Sequence, residues 1–239
     1  MEHSGKKQET RKRIVVEDDG PYRVEGGIPL VMKSQVVSEY GEPLTWKTEN
    51  RIPTEDVYYL CRCGQSHDFP FCDCTHGLIG FDGTETAPTD TFEERKQILA
   101  GGTGLVVKLD NTLCMNSGFC GNRLTNIKKM MPDTVEPRVR AEIIAMVERC
   151  PSGAYTYSMS ESEPDIEPDL PEQIAVTTEI TSDGAVRASY WVTGNIPIER
   201  ADGQPFEIRN RVTLCSCGES SIKPLCDGIH RSLNHTKIS

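Results

Sequence analysis

Apolar residues recur along this chain in short alternating runs, and one such pattern occurs twice. The sequence Tyr-x-Val-x-Gly-x-Ile-Pro stands at 22–29 and again at 190–197. Alternating apolar and polar positions that meet at a glycine predict two short strands around a turn. After a polar turn that contains glycine, a further β-rich run follows in each copy, at 57–60 and at 212–214. The repetition therefore predicts two related, β-rich modules near the two ends of the chain.

The residues between the two copies carry a different pattern, in which strand and helix signals are mixed. An apolar run at 104–109 predicts a strand. Apolar residues about one turn apart then predict two helices, one near 124–131 and one near 143–147. A last β-rich run at 154–157 is expected to pair with the first strand. We therefore predict an α+β domain over 100–158, inserted between the two β-rich modules.

Segments of polar composition mark the boundaries between these units. We place the β-rich modules at 15–82 and 184–235, after a flexible tail at 1–14 in which basic and acidic residues are mixed. The acidic residues argue against an Arg-rich transit peptide, because such peptides avoid them. We place an acidic linker at 159–183, and its segment 161–172, with six carboxylates and three prolines, should be extended and solvated. A docking site for a basic partner is the alternative interpretation of that acidic segment.

The composition favours several small modules over one large core. Of the 239 residues, 36% are hydrophobic and 6% are aromatic, so we expect bound metal to supply folding energy that apolar burial lacks. A net charge of −10 argues against a general nucleic-acid binder, since phosphate contacts need clustered Lys and Arg. No run of about 18 apolar residues predicts a membrane span, and no signal peptide is evident. We therefore expect the ten cysteines to be reduced metal ligands in the cytoplasm.

Two segments of 16 residues share one spacing of cysteine and histidine. Both read C-x-C-x2-S-x3-P-x-C-D-x-x-H, at 61–76 and at 215–230. Three thiolates and one imidazole within so short a segment are a set of metal ligands. The candidate ligands are Cys61, Cys63, Cys72 and His76 in the first segment, and Cys215, Cys217, Cys226 and His230 in the second.

The spacing favours a [2Fe–2S] cluster over zinc, although four such ligands suit both. Structural zinc sites usually contain C-x2-C pairs, whereas C-x-C is uncommon around a single zinc ion. A two-iron cluster can take two cysteines at one iron and a cysteine with a histidine at the other. Neutral imidazole removes one negative charge from the site, which raises its reduction potential. The second ring nitrogen leads us to expect that reduction is coupled to proton uptake.

The two segments resemble CDGSH iron–sulfur domains of the mitoNEET type, and the second reads Cys-Asp-Gly-Ile-His at 226–230. The resemblance implies a [2Fe–2S] cluster on the four candidate ligands of each segment and a small β-rich fold. It also implies that two such modules pair about an approximate two-fold axis, here within one chain. The first segment departs from the pattern at Cys74, where the family usually has glycine. We interpret Cys74 as a tolerated small residue, with a spare ligand or a redox-active thiol as alternatives, and we expect the local backbone to differ there.

Three further cysteines lie in the middle unit. Cys114 and Cys120 flank a five-residue segment, and Cys150 stands before a proline. This arrangement resembles a divergent mono-cluster ferredoxin, which has C-x2-C-x2-C and a distant Cys-Pro, with Ser117 in place of the second cysteine. The resemblance implies a cuboidal cluster on these three thiolates, either [3Fe–4S] or [4Fe–4S] with a fourth ligand other than cysteine. Three isolated cysteines in a small α+β domain are the alternative.

These observations predict a one-electron carrier with two [2Fe–2S] clusters and one cuboidal cluster, which exchanges electrons with a redox partner protein. Storage, transfer or sensing of iron–sulfur clusters is the alternative, and a zinc-bound scaffold is a third hypothesis. No acid–base or nucleophilic constellation stands out, so we do not expect an enzyme, and we expect no nucleic-acid or membrane partner. His67 and His235 lack partners at ligand spacing and are expected to be exposed. Trp46 and Trp191 are expected to pack against their sheets.

Overall fold

The computed structural model describes residues 11–238, which form twelve β-strands and four α-helices. The strands are β1 (Arg13–Val16), β2 (Tyr22–Glu25), β3 (Leu30–Val37), β4 (Pro43–Ile52), β5 (Val57–Leu60), β6 (Gln97–Ile98), β7 (Val106–Leu109), β8 (Tyr155–Ser158), β9 (Gln173–Thr181), β10 (Gly184–Thr193), β11 (Ile198–Glu199) and β12 (Arg211–Leu214). The helices are α1 (Thr75–Ile79), α2 (Phe92–Arg95), α3 (Ile127–Met130) and α4 (Pro137–Arg149).

The strands form three sheets, two of which mix strands from both ends of the chain. The first has the order β11-β1-β2-β5, and the second has the order β12-β10-β9-β3-β4. Two parallel pairs join the ends, because β1 lies beside β11 and β9 lies beside β3. The two predicted β-rich modules are therefore interleaved, and each of these two sheets needs strands from both modules.

The middle unit has its own sheet, β6-β7-β8, covered by α4. The antiparallel pairing of β7 with β8 confirms the predicted contact between the first and last strands of this unit. Helix α4 begins at Pro137, whose fixed φ suits the first helical position, and it buries Ile143 and Val147. The helix predicted near 124–131 begins only at residue 127, because the Asn126 side chain caps it by accepting the amide N–H of Lys129 at 3.0 Å.

The prediction of a linker at 159–183 was wrong in its second half. Residues Gln173–Thr181 form β9, and this strand is hydrogen-bonded on both edges, to β10 and to β3. The acidic composition suggested solvent exposure, yet Glu179 lies fully buried in the strand. The predicted tail is also shorter than expected, since β1 begins at Arg13, and residues 1–10 of that tail lie outside the described residues.

One cluster of buried apolar side chains extends through all three sheets. It includes Val24 of β2, Val107 of β7 and Val192 of β10. The expectation of separate small modules was therefore wrong, because interleaved strands place the apolar faces of all units against each other. No helix within residues 11–238 is long and apolar enough to cross a membrane.

Candidate iron–sulfur centres

The first ligand segment begins where β5 ends, and its backbone folds back on that strand. The amide of Cys61 donates to the Pro70 carbonyl at 2.8 Å, and the amide of Cys72 donates to the Tyr59 carbonyl at 2.9 Å. The Ser66 hydroxyl donates to the carbonyl that precedes Cys72, at 2.6 Å. These bonds hold the start and the end of the segment side by side.

The second segment has the same hydrogen bonds in the same order. The amide of Cys215 donates to the Pro224 carbonyl at 2.8 Å, and the amide of Cys226 donates to the Thr213 carbonyl at 3.0 Å. The Ser220 hydroxyl again donates to the carbonyl before the third cysteine, at 2.7 Å. The two segments therefore share one backbone structure, as their identical spacing predicts.

The four candidate donors of each segment form two close pairs. The Sγ atoms of Cys61 and Cys63 are 3.8 Å apart, and Cys72 Sγ is 3.4 Å from His76 Nδ1. The corresponding distances in the second segment are 3.6 Å and 3.4 Å. Two sulfur ligands on one tetrahedral metal atom, with bonds of about 2.3 Å, lie about 3.7 Å apart, so each pair has the separation expected for one metal atom. Within residues 11–238, no three such side chains converge closely enough to hold a single ion, and the donors stay grouped as pairs.

The thiols of each C-x-C pair influence each other's acidity. A hydrogen bond from the neighbouring thiol lowers the pKa of Cys63 and that of Cys215 below the usual value of a thiol. Burial raises the pKa of Cys72 and that of Cys226. Because metals bind thiolates, one cysteine of each C-x-C pair is prepared for ligation, and the third cysteine must release its proton when it binds a metal.

Two buried tyrosines connect the segments to each other. The Tyr22 hydroxyl of the first module donates to the Cys215 carbonyl of the second at 2.8 Å. Reciprocally, the Tyr190 hydroxyl donates to the Cys61 carbonyl at 2.8 Å. Their rings meet edge to face, with centroids 5.9 Å apart. Each repeated Tyr-x-Val pattern therefore supports the ligand segment of the other module.

Two glycines allow the ligand segments to lie back to back. A Cβ atom at Gly64 would lie 2.5 Å from the Cys217 carbonyl oxygen, and one at Gly218 would lie 2.6 Å from the Cys63 carbonyl oxygen. Both glycines also have positive φ, 75° and 85°. Only glycine meets both requirements without strain, so the contact depends on these two positions.

The structure brings the three cysteines of the middle unit around one cavity of about 130 Å³. Cys114 follows a short 3-10 helix, and Cys150 follows the end of α4. Burial raises the pKa of Cys114 and that of Cys120. Ser117 lines the same cavity, as its position in the motif predicts, and Ser152 lies there too, with its hydroxyl 3.5 Å from Cys150 Sγ. All ten cysteines are free of disulfide bonds.

Comparison with known families agrees with this geometry. Residues 19–77 and 187–231 match the family described as iron-binding zinc finger, CDGSH type, and residues 101–160 match the divergent 4Fe-4S mono-cluster family. The chain carries two CDGSH domains around a divergent 4Fe-4S domain. This confirms the resemblance that the ligand spacing indicated, and the matched ranges contain all eleven candidate ligands. No curated protein matches the sequence. We call the two CDGSH ligand sets the first and second centres, and the set of Cys114, Cys120 and Cys150 the middle centre.

The second centre is buried and has a polar contact that sequence reasoning missed. His230 directs Nδ1 toward its cysteine partner, and its Nε2 lies 3.1 Å from Glu179 Oε2. Arg231 donates to the same Glu179 oxygen at 3.0 Å. Such contacts fix the orientation of a ligating imidazole. Glu179 precedes the histidine by 51 residues and lies in β9, so nothing in the motif could have indicated it.

The first centre is more accessible. Cys72 and His76 are half-buried and line a surface cavity of about 280 Å³, together with Glu17 and Tyr59. The residue after this histidine is Gly77, which has no side chain to act as Arg231 does in the second domain. The two CDGSH centres therefore share their ligand spacing but differ in solvent exposure.

The loop of the middle centre rests on the ligand segment of the second domain. The Asn116 side-chain amide donates to the Asp227 carbonyl at 3.1 Å, and Arg231 donates to the Asn116 carbonyl at 3.0 Å. A Cβ atom at Gly228 would lie 2.4 Å from the Met115 carbonyl oxygen. This close approach requires glycine at 228 and brings the middle and second centres into one polar network.

Two expectations from the sequence need correction. We expected the backbone at Cys74 to differ from that of the usual glycine, and this was wrong. Cys74 has a φ of 67°, in the same left-handed region as Gly228 at 86°. The loop therefore holds a residue with a side chain in a strained conformation. His235 is half-buried, not exposed, because its ring Nε2 lies 3.1 Å from the Cys217 carbonyl. His67 is exposed as expected. The expected packing of the two tryptophans against their sheet is confirmed, because Trp191 clusters with Val31 and Ala175 and Trp46 packs on this cluster.

Proposed function

We propose that this chain is a one-electron transfer protein with two [2Fe–2S] centres and one cuboidal centre. The observation that carries the proposal is the grouping of the CDGSH donors into two pairs, 3.8 Å and 3.4 Å apart in the first centre. A [2Fe–2S] cluster has two iron atoms with two open positions each, which matches two pairs, one of two thiolates and one of thiolate with imidazole. When bound, such a cluster accepts and returns a single electron.

The surrounding residues suit a carrier that keeps its geometry during turnover. Reciprocal tyrosine hydrogen bonds, from Tyr22 and Tyr190, attach each ligand segment to the opposite module. From these matched contacts, and from the matched parallel pairs β1–β11 and β9–β3, we infer that the two CDGSH domains are related by an approximate two-fold axis within the chain. A rigid ligand shell limits the structural change that accompanies reduction, which favours fast transfer.

For the middle centre we propose a [3Fe–4S] cluster on Cys114, Cys120 and Cys150. Three thiols line the cavity, and the position that would supply a fourth cysteine holds Ser117. A [4Fe–4S] cluster with a fourth ligand other than cysteine is the competing assignment. The match to a divergent 4Fe-4S family supports a cuboidal cluster of either kind.

Metal analysis of anaerobically purified protein tests the proposal. We expect about seven iron atoms per chain, from two two-iron centres and one three-iron centre, with acid-labile sulfide and a rhombic EPR signal from the reduced [2Fe–2S] centres. Protein-film voltammetry should show reversible one-electron waves. Colourless protein that contains stoichiometric zinc, or waves that vanish because the metal is lost on reduction, would refute electron transfer.

Transfer of intact clusters to other proteins is a second candidate function, favoured by the exposure of the first centre. Cys72 and His76 line an open cavity, so an acceptor thiol could approach the metal there. Incubation with a metal-free ferredoxin distinguishes the two functions. Transfer of the first cluster to the acceptor would support delivery, whereas repeated reduction and oxidation without loss would support the carrier.

A further inference from the structure

The middle domain covers one face of the second CDGSH domain. Strand β12 (Arg211–Leu214) is buried along its whole length. The Arg211 guanidinium donates to the carbonyls of Glu148, at 2.7 Å, and Tyr155, at 3.3 Å, both in the middle domain. Asn116 of the middle domain also contacts the ligand segment. These hydrogen bonds show that this face of the second CDGSH domain packs against another domain.

The equivalent face of the first CDGSH domain is exposed and carries large apolar side chains. Strand β5 occupies the place of β12 in the repeat, and its residues Val57 and Tyr59 are exposed. Helix α1 begins at Thr75, at the end of the ligand segment. It has no buried residue and exposes Leu78 and Ile79. We call these four residues the apolar patch. Four large apolar side chains exposed around one site are typical of an interaction surface.

The apolar patch adjoins the open side of the first centre. Tyr59 belongs both to the patch and to the cavity of about 280 Å³ that Cys72 and His76 line. Ile79 follows His76 by three residues on α1, a spacing that places two side chains on the same side of a helix. A protein seated on the patch would therefore lie against the histidine edge of the first centre.

Acidic residues flank the patch, and Arg23, the cation opposite Tyr59 on β2, is paired with Glu17 at 3.0 Å. Glu55 lines a neighbouring surface cavity with Val57, and Asp68 and Asp73 are exposed in the ligand segment itself. The whole chain has a net charge of −10. A partner that complements this face therefore presents an apolar centre within a ring of basic residues.

We propose that the apolar patch is the docking surface for a separate one-electron redox protein whose cofactor lies near a basic-rimmed apolar face. The proposal rests on the electron-transfer function proposed above. With a cluster bound, the reduced first centre would pass one electron to the oxidised cofactor of the partner, so the first centre would be oxidised, the cofactor reduced, and no atom exchanged. In the second CDGSH domain the equivalent face binds the middle domain. This supports a binding role for the exposed face of the first domain, because the two faces are equivalent in the repeat.

Ferricytochrome c is a suitable probe, since it is a basic one-electron acceptor with an exposed cofactor edge. The test compares the double variant Leu78→Ser/Ile79→Ser with wild type, in calorimetric titration and in stopped-flow reduction of the probe. The variant should fold normally, because α1 has no buried residue. Leu124→Ser is the matched control, since Leu124 is 80% exposed, comparable to Leu78 at 88%, but belongs to the middle domain.

We expect the double variant to raise the Kd for the probe and lower the second-order rate by about tenfold each, with no change in Leu124→Ser. Added salt should weaken wild-type binding. An equal or larger effect of Leu124→Ser would overturn the proposal. Two other results would also overturn it. A wild-type dimer in light scattering that is lost in the double variant would mean that a second copy occupies the patch. Tighter probe binding after removal of residues 1–10 would mean that the chain covers its own patch.

Failure of this proposal can be separated from failure of the proposed function. Protein-film voltammetry needs no protein partner, so reversible waves in the double variant establish that electron transfer at the centres is intact. Reversible waves together with unchanged probe binding in the variant would refute the docking surface alone.

Discussion

The back-to-back packing of the two ligand segments predicts how much Gly218→Ala lowers the free energy of unfolding. A Cβ atom there would lie 2.6 Å from the Cys63 carbonyl oxygen, and φ is 85°. Gly203 provides a matched control, because its φ is also positive, at 69°, but no atom lies within 4 Å of the added Cβ. Gly203→Ala isolates the conformational cost, and Gly218→Ala adds the steric overlap.

The two costs can be estimated separately. The left-handed conformation disfavours a residue with a Cβ atom by about 1–2 kcal/mol, so Gly203→Ala should lower the free energy of unfolding by that amount. Overpacking at a tight contact costs about 1–3 kcal/mol more, so Gly218→Ala should lower it by about 2–5 kcal/mol in total. Anaerobic urea unfolding of the metal-loaded variants, followed by circular dichroism and visible absorption, measures both values.

The reciprocal position makes the test stricter. A Cβ atom at Gly64 would lie 2.5 Å from the Cys217 carbonyl oxygen, so Gly64→Ala should cost about as much as Gly218→Ala. Both substitutions push apart the same interface, so the double variant should lose less than the sum of the single losses. Equal losses for Gly218→Ala and Gly203→Ala, or strict additivity of the two ligand-segment variants, would refute the packing argument.

Three further predictions address the centres themselves. Glu179→Gln removes the carboxylate that contacts His230, so chelators should bleach the second centre about tenfold faster. Glu161→Gln, at an exposed position, is the control. Equal bleaching rates in the two variants would contradict the role of Glu179. Ser117→Cys adds a thiolate to the middle cavity and should convert a three-iron EPR signal to a four-iron one, whereas an unchanged spectrum would count against this placement. Asn116→Gly keeps the positive φ of 59° but removes the hydrogen bond to the Asp227 carbonyl. Amide hydrogen exchange in the loop between Cys114 and Cys120 should accelerate by an amount equivalent to about 1 kcal/mol. Unaltered exchange would show that this bond does not hold the loop.

The candidate ligand sets could be predicted from the sequence because each is local. Each CDGSH set lies within 16 residues, and short-range hydrogen bonds, such as those of Ser66 and Ser220, shape the loop. Identical spacing therefore leads to identical donor pairs. The middle centre was readable for a related reason, since only Cys150 is distant and the following proline marks it.

Strand β9 shows where sequence reasoning failed. Its residues follow an acidic, proline-rich segment and were interpreted as part of a linker, yet they pair with β3, which lies about 140 residues earlier. Glu179 enters the site through this pairing and not through the motif. Composition reports the average surroundings of a segment, whereas a strand is stabilised by neighbours that can be anywhere in the chain.

The sequence by itself determined the spacing of the candidate ligands and the family to which they belong, because that spacing is a property of a few adjacent residues. Only the tertiary structure decided that the two CDGSH centres are unequal. The middle domain and β9 bury His230, whereas His76 faces a cavity on the surface. Burial depends on which distant segments cover a site, and two identical motifs become different sites when only one of them is covered.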